Sequence, residues 1–300
     1  MKYVFIVNPN SGYQKSKNEL LEQLNVNKDN IDYEIYITKS KDDATHYVDR
    51  YCQNYSENVV FVACGGDGTI SEVVNGMIDH PNAILACYPC GNGNDFVKVY
   101  GGKSAFLASN YLKNAKETKI DVMQINNRYS INVINYGFEV TVCDVANRIK
   151  RKKIIGGNNS YTTGILVAIF NSMKNYCKLY VDNNLMYEGN ILLSTFANGK
   201  YVGGKYCCAP YSDNEDGLME VTYVKPISIF KFLSLVKYYE NGTHLKEDKF
   251  KSIIKYIQAN KVTIDTKKDV KVCIDGEIYS NNHFEIINHK RKIRFLKPEN

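Results

Sequence analysis

The chain has 300 residues, with 44% hydrophobic and 23% charged residues. That composition suits a folded enzyme of one large or two ordinary domains and excludes a disordered or fibrous chain. The net charge of +6, without a basic tail, gives no indication of nucleic acid, but it is compatible with a nucleotide or an anionic membrane surface.

The first third alternates strand and helix. "YVFIV" (3–7) is an apolar strand ended by Asn8-Pro9. Leu20, Leu21 and Leu24 predict a helix over 15–24. A strand is expected at 33–38, a helix at 42–55, a buried strand at 59–64, a helix at 69–79 and a strand at 83–89. This alternation predicts a mostly parallel sheet covered by helices, a doubly wound α/β domain. After residue 120, strand-like segments follow one another at 120–126, 129–135, 177–182, 185–195, 218–224, 261–265, 270–275, 283–287 and 291–296. Helices interrupt them near 161–174 and 226–239. The pattern predicts an antiparallel β-sandwich as the second domain.

The nine cysteines include no CxxC pair and read as reduced, packed thiols of a cytoplasmic protein, with no zinc-ligand spacing. The N-terminus lacks a signal peptide's length and cleavage pattern, and no apolar run would span a bilayer. Membrane contact is therefore expected to be peripheral.

Three glycine-bearing loops leave the C-terminal ends of the first domain's strands: "NPNSG" (8–12), "GGDGT" (65–69) and "PCGNGND" (89–95). Glycines let backbone approach a ligand, and a helix opening near Thr69 offers free N–H groups to phosphate. Asp67 is repulsive to phosphate unless a cation neutralises it or it handles a substrate hydroxyl. From the loop alone, a helix-capping aspartate is an equally open reading. Neither a Walker A loop nor protein-kinase elements are present. Asp216-Gly217 and Asp275-Gly276-Glu277, taken singly, read first as hairpin turns.

Together these stretches resemble the diacylglycerol kinase catalytic family, which also holds sphingosine and ceramide kinases. "GGDGTISEVVNG" (65–76) is similar to its central nucleotide motif. "NPNSG", "PCGNGNDF", "INVINYGF" (131–138), "FANGKYVGG" (196–204), "APYSDNEDGL" (209–218) and "DGE" (275–277) follow in the family's order. The GGDGT loop alone is shared with NAD kinases and phosphofructokinases; the ordered set is specific.

The resemblance implies an ATP-binding α/β domain over 1–125, completed by a returning segment 289–300, and a β-sandwich lipid-substrate domain over 126–288. It implies that ATP lies against Asn8, Pro9, Asn10, Ser11, Gly12, Thr38, Gly65, Gly66, Asp67, Gly68, Thr69, Ser71 and Asn92. Asp67, Asp95 and Asp121 match carboxylates linked to a catalytic Mg²⁺. Asp213, Asp216 and the Leu218 carbonyl match a structural Mg²⁺ site. Glu277 matches the proposed general base, with Asp67 its rival. Asn92 departs from the family's usual Thr but can still donate to a phosphate. The implied activity is phosphorylation of diacylglycerol by ATP. A sphingoid base or other lipid alcohol, NAD, or a binding role without catalysis are the alternatives. The implied setting is the inner face of the cell membrane, with anionic phospholipid as a partner; a homodimer is left open. The basic run "NRIKRKK" (147–153) reads equally as a solvated helix end or as a patch that docks on anionic headgroups.

Overall fold

The computed structural model describes residues 1–11, 32–107, 111–151 and 157–299. The expected helix over 15–24, the expected nucleotide contact Gly12, and Lys152 and Lys153 of the basic run lie outside them. The chain divides into two compact units, Met1–Val122 with Arg291–Asn300, and Met123–Lys290.

In the first unit, β1 (Lys2–Val7), β2 (Tyr33–Ile37), α1 (Asp43–Asn54), β3 (Val59–Gly65), α2 (Asp67–Met77) and β4 (Ala83–Pro89) follow in order. β1 pairs with β2 and β3, and β3 with β4, all parallel. β3 and β4 are buried along their whole length, as continuous apolar runs in a parallel sheet should be. α1 and α2 pack closely: a Cβ on Gly76 would lie 2.6 Å from the Thr45 carbonyl oxygen. Thr45 Oγ1 donates to the Glu72 carbonyl at 2.8 Å. A 3₁₀ turn (Phe96–Tyr100), α3 (Gly102–Leu107), α4 (Tyr111–Asn114) and the start of β5 (Lys116–Ile125) complete the outward run.

The chain's end returns to this sheet. Arg294 and Phe295 pair in parallel with Ile84 and Leu85. Phe295 packs edge-on against Phe96 and at a tilt against Tyr100 and Phe106. Arg294 forks onto both Glu117 oxygens at 2.7 and 3.0 Å.

The second unit holds β6 (Arg128–Ser130), β7 (Val133–Gly137), α5 (Phe138–Arg151), α6 (Gly157–Asn171), β8 (Asn175–Val181), β9 (Asn184–Ile191) and β10 (Leu193–Ala197). After them come β11 (Tyr201–Val202), β12 (Tyr206–Cys207), β13 (Met219–Val224), α7 (Ile229–Glu240), β14 (Ile254–Ala259), β15 (Lys261–Ile274) and β16 (Glu277–Lys297), whose last residues belong to the first unit. β14, β13, β10, β7 and the second half of β15 pair antiparallel in that order, while the first half of β15 pairs with β8, and β8 with β9. β15 thus changes partner across its bulge between Asp265 and Val270, the device that lets one strand serve two layers. The apolar core between the layers gathers Met123, Ile134, Leu179, Phe196, Val221, Val262, Val272 and Phe284. A second core, under α5, α6 and α7, is built on Phe138, Ala168, Leu192, Val224, Phe232 and Leu235.

The α/β domain followed by a β-sandwich agrees with the expected fold class. Several element boundaries differ. Segments 261–265 and 270–275 are one strand; 283–287 and 291–296 belong to another. Segment 185–195 is two strands broken at Leu192, and β14 and α5 have no counterpart in the sequence reading. The nine cysteines carry free thiols, all buried except the half-exposed Cys207.

Candidate active site

Because β1, β3 and β4 are parallel neighbours, the loops that leave their C-terminal ends share one edge of the first unit's sheet. The first loop closes on Asn8, whose side chain accepts from Asn10 N at 2.9 Å and whose carbonyl accepts from Ser11 N at 3.2 Å. Asn8 also donates to Thr69 Oγ1 at 3.2 Å, and its N–H to the Cys64 carbonyl at 3.1 Å, tying this loop to the next. Thr38, buried at the end of β2, donates its N–H to the Val7 carbonyl at 2.9 Å. Pro9 and Asn10 are exposed.

The second and third loops meet backbone to backbone. Cys90 N donates to the Gly65 carbonyl at 2.8 Å. A Cβ on Gly91 would stand 2.5 Å from Gly66 Cα, and one on Gly65 would collide with Thr69 Oγ1 at 2.1 Å. Gly91 is therefore required by contact between the two loops, and Gly65 by the turn of its own loop back onto Thr69. Gly68 differs, with open space where its Cβ would be. Gly68 and Asn92 are exposed, Ser71 is partly so, and Thr69 is buried.

Asp67 is the first residue of α2, two positions before the expected start, and Gly66 occupies the cap. The Asp67 side chain does not cap its own helix. Its Oδ1 accepts from Phe96 N at 3.1 Å. Its pKa is raised, first by burial and then by the charge of Asp95. Asp95 is buried and pairs with Lys98 Nζ at 2.5 Å. Gly93 faces both carboxylates: a Cβ there would lie 3.1 Å from Asp67 Oδ2 and 3.4 Å from Asp95 Oδ2. Two carboxylates converging on a glycine, with one lysine beside them, form an all-oxygen donor pair of the kind magnesium takes. Lys98 and Asn94 were not singled out from the sequence. The i, i+3 spacing of Asp95 and Lys98 was the available signal. Asn94 has a positive φ of 48°, and its Nδ2 donates to the Gly91 carbonyl at 2.6 Å.

Asp121, on β5, is fully buried and its Oδ1 accepts from Arg291 N at 2.7 Å. That bond fastens the returning segment to the unit.

In the second unit, the Asp275-Gly276 turn has positive φ of 46° and 90°. Asp275 Oδ1 accepts from Ser130 Oγ at 2.7 Å and Val133 N at 3.0 Å, and Oδ2 from Ile131 N at 3.2 Å. The carboxylate thereby locks the turn against the start of β7, and partly buried Glu277 opens β16 directly after it. Asp213 and Asp216 are exposed on one loop. Each accepts from a nearby backbone N–H, Asp213 from Glu215 at 2.9 Å and Asp216 from Leu218 at 2.8 Å. Among the described residues no group of three acidic, histidine or cysteine side chains gathers as a metal site. The structural site as expected needs two carboxylates and a carbonyl, and Asp213, Asp216 and Leu218 are a hard-oxygen set suited to that ion. In the basic run, Arg148 is paired with Asp144 at 2.9 Å.

Residues 2–125 match the diacylglycerol kinase catalytic domain, and residues 132–286 match the YegS C-terminal NAD kinase beta sandwich-like domain. A provisionally named lipid kinase of Staphylococcus carnosus is 30% identical over 82% of this chain and 81% of its own. A diacylglycerol kinase of Staphylococcus aureus is 28% identical over 98% of this chain and 91% of its own. A crystal structure of a protein from Bacillus anthracis, provisionally called a diacylglycerol kinase, superposes with a TM-score of 0.77 at 24% identity, covering 99% of this chain and 96% of the other. With both domain matches in chain order and relatives aligned over most of their length, the chain belongs to the diacylglycerol kinase family of lipid kinases, which are phosphotransferases.

Proposed function

We propose that this chain transfers the γ-phosphoryl group of ATP to the hydroxyl of diacylglycerol, giving phosphatidic acid, with magnesium bound. The observation that carries the reading is the Asp67–Asp95 pair set around Gly93 at the loop edge of the sheet. Asp95 is buried and Asp67 partly so, and two carboxylates held this close beside a helix N-terminus repel each other unless a cation or a proton sits with them. The glycine-bearing loops around it suit phosphates, and the named activity of the S. aureus relative supports the acceptor.

In this reading the loop Asn8–Ser11, Thr38, Gly65 to Thr69, Ser71 and Asn92 receive the nucleotide. Backbone N–H groups at the start of α2 hold phosphate oxygens in line for attack. Asp67 and Asp95 would hold the catalytic magnesium, with Asp121 supporting them, and Asp213, Asp216 and the Leu218 carbonyl a structural one. When bound, the catalytic ion neutralises charge that develops on the transferring phosphoryl group. Glu277 accepts the proton of the attacking hydroxyl. Among the described residues no helix is long and apolar enough to cross a membrane. The chain therefore meets its lipid peripherally in this reading, at the inner face of the cell membrane.

Incubation with γ-labelled ATP, magnesium and a panel of diacylglycerol, sphingoid base, other lipid alcohols and NAD in detergent micelles tests the reading. Label is expected in phosphatidic acid. Label in another acceptor reassigns the substrate, and label in none removes the kinase reading.

A further inference from the structure

Two phenylalanines of the second unit stand almost wholly in solvent: Phe170 near the end of α6 is 82% exposed, and Phe230 near the start of α7 is 87% exposed. Leu166 is 56% exposed one turn before Phe170, and Leu233 is 57% exposed one turn after Phe230, with Ile229 beside it at 44%. Such residues are ordinary when scattered singly; clustered on helix ends they mark an interaction surface.

The two helix ends lie at the same end of the unit. Asn175, just past α6, donates its Nδ2 to the Leu192 carbonyl at 2.9 Å. Leu192 N in turn donates to the Val224 carbonyl at 2.7 Å, and Val224 is the last residue before the lead into α7. The inward faces of both helices close on one core, Ala168 from α6 with Phe232 and Leu235 from α7. Their outward apolar residues are therefore surplus to the fold. α6 is also apolar from Ile165 to Phe170 without a polar interruption, a pattern that an ordinary surface helix avoids.

Charge decides what covers this surface. No acidic residue occurs from Gly157 to Val181 or from Val221 to Tyr239, whereas Lys174, Lys178, Lys225, Lys231 and Lys237 do. Lys178 is paired with Glu188 of the neighbouring strand at 3.3 Å, which leaves Lys174 and Lys231 as the exposed cations beside the apolar side chains. An apolar surface flanked by exposed lysines complements an anionic bilayer, where aromatic rings sit at the headgroup level and lysines meet phosphate. We propose that the α6 end and the α7 start insert Leu166, Phe170, Ile229, Phe230 and Leu233 into the surface of an anionic membrane. This deepens the lipid-kinase reading and rests on it, since it supplies the route from water to a bilayer-held acceptor.

The test uses the full chain without ATP. Vesicles of phosphatidylglycerol and phosphatidylcholine are sedimented with protein at 0.1 M and 1 M NaCl. Screening at 1 M salt shortens electrostatic reach to roughly 3 Å, so binding that survives reports apolar insertion. Wild type is expected to keep part of its binding at 1 M. Phe170→Ser with Phe230→Ser should lose that part, with a drop in partition of about tenfold or more. Lys174→Gln with Lys231→Gln should lose only the salt-sensitive part. Turnover of short-chain diacylglycerol in micelles should stay unchanged in both variants. Vesicle binding by the double serine variant equal to wild type at both salts overturns the proposal. So does conversion of a wild-type dimer to monomer by the serine pair, because the surface then covers a second copy. Intact vesicle binding with no turnover of any lipid would instead count against the kinase reading.

Discussion

The backbone N–H of Phe96 donates to Asp67 Oδ1 at 3.1 Å. That bond joins the first residue of α2 to the first residue of the 3₁₀ turn after the third loop, so the carboxylate is placed by two loops at once. Its other oxygen faces Gly93 and Asp95. Replacing Asp67 by Asn keeps the acceptor for Phe96 and removes the charge. Turnover of Asp67→Asn is expected below a tenth of wild type, a loss of more than about 1.4 kcal/mol in transition-state stabilisation, with an unchanged melting curve. Activity above that level in the folded variant would leave Asp67 as a loop tie only.

Glu277→Gln separates the two candidates for the base. Gln preserves shape and hydrogen bonding but cannot take a proton. A fall of about 10² to 10⁴ in turnover is expected, with ATP affinity by equilibrium dialysis almost unchanged. A mild effect would shift the proton-accepting role to Asp67.

The loop contacts predict a contrast between two glycines. In Gly91→Ala the new Cβ meets Gly66 Cα at 2.5 Å and Asn94 Oδ1 at 2.9 Å. The clash is mostly with backbone, so the loops must part, at a cost of about 1–3 kcal/mol in urea unfolding and with weaker ATP binding. Gly68→Ala meets nothing within 4 Å. Its stability should equal or exceed wild type, since alanine favours the helix, while ATP affinity falls if phosphate lies against this backbone. Equal destabilisation by both substitutions would contradict the packing account.

A partly buried pair beside the buried His244 in the second unit gives a pH prediction. Tyr239 donates to Glu139 at 2.5 Å and its ring lies 4.8 Å from that of His244. Burial pushes the Glu139 carboxyl up from 4.5 to about 7, against the pull of its bonds from Tyr239 and Thr195. Burial also holds His244 down from 6.5 to about 4. Glu139 therefore contributes stability below pH 4.5 that is lost as pH rises through 7. His244 contributes stability above pH 6.5 that is lost as pH falls toward 4. Between about pH 4.5 and 6.5 the two slopes oppose each other. Glu139→Gln leaves the histidine slope alone, so its urea midpoint should fall more steeply than wild type on acidification from pH 6.5 to 4.5. Parallel curves for the two proteins would show that the pair does not titrate as described.

The loops and the fold class were legible because apolar runs and Gly-Asp turns are local patterns. "VVFVAC" before "GGDGT" needs no tertiary knowledge to read as a buried strand leading to a ligand loop. What escaped was set by distant partners. The helix Phe138–Arg151 carries buried Phe138, Val140, Val142 and Cys143, a β-branched run that reads as strand-like until its packing against α6 is seen. The strand Glu277–Lys297 is interrupted by charged and polar residues, and pairing continues through them. Nothing local marks Lys98 as part of the site, because the burial of its partner Asp95 comes only from the fold.

The most direct test is transfer itself. Purified chain, γ-labelled ATP, magnesium and diacylglycerol in micelles should yield labelled phosphatidic acid, and the yield should vanish with chelator or with Asp67→Asn. Labelled phosphatidic acid from wild type and none from the variant is the predicted result. Wild-type chain that binds ATP yet labels no lipid alcohol with magnesium present, or a variant that labels diacylglycerol as fast as wild type, would contradict the account.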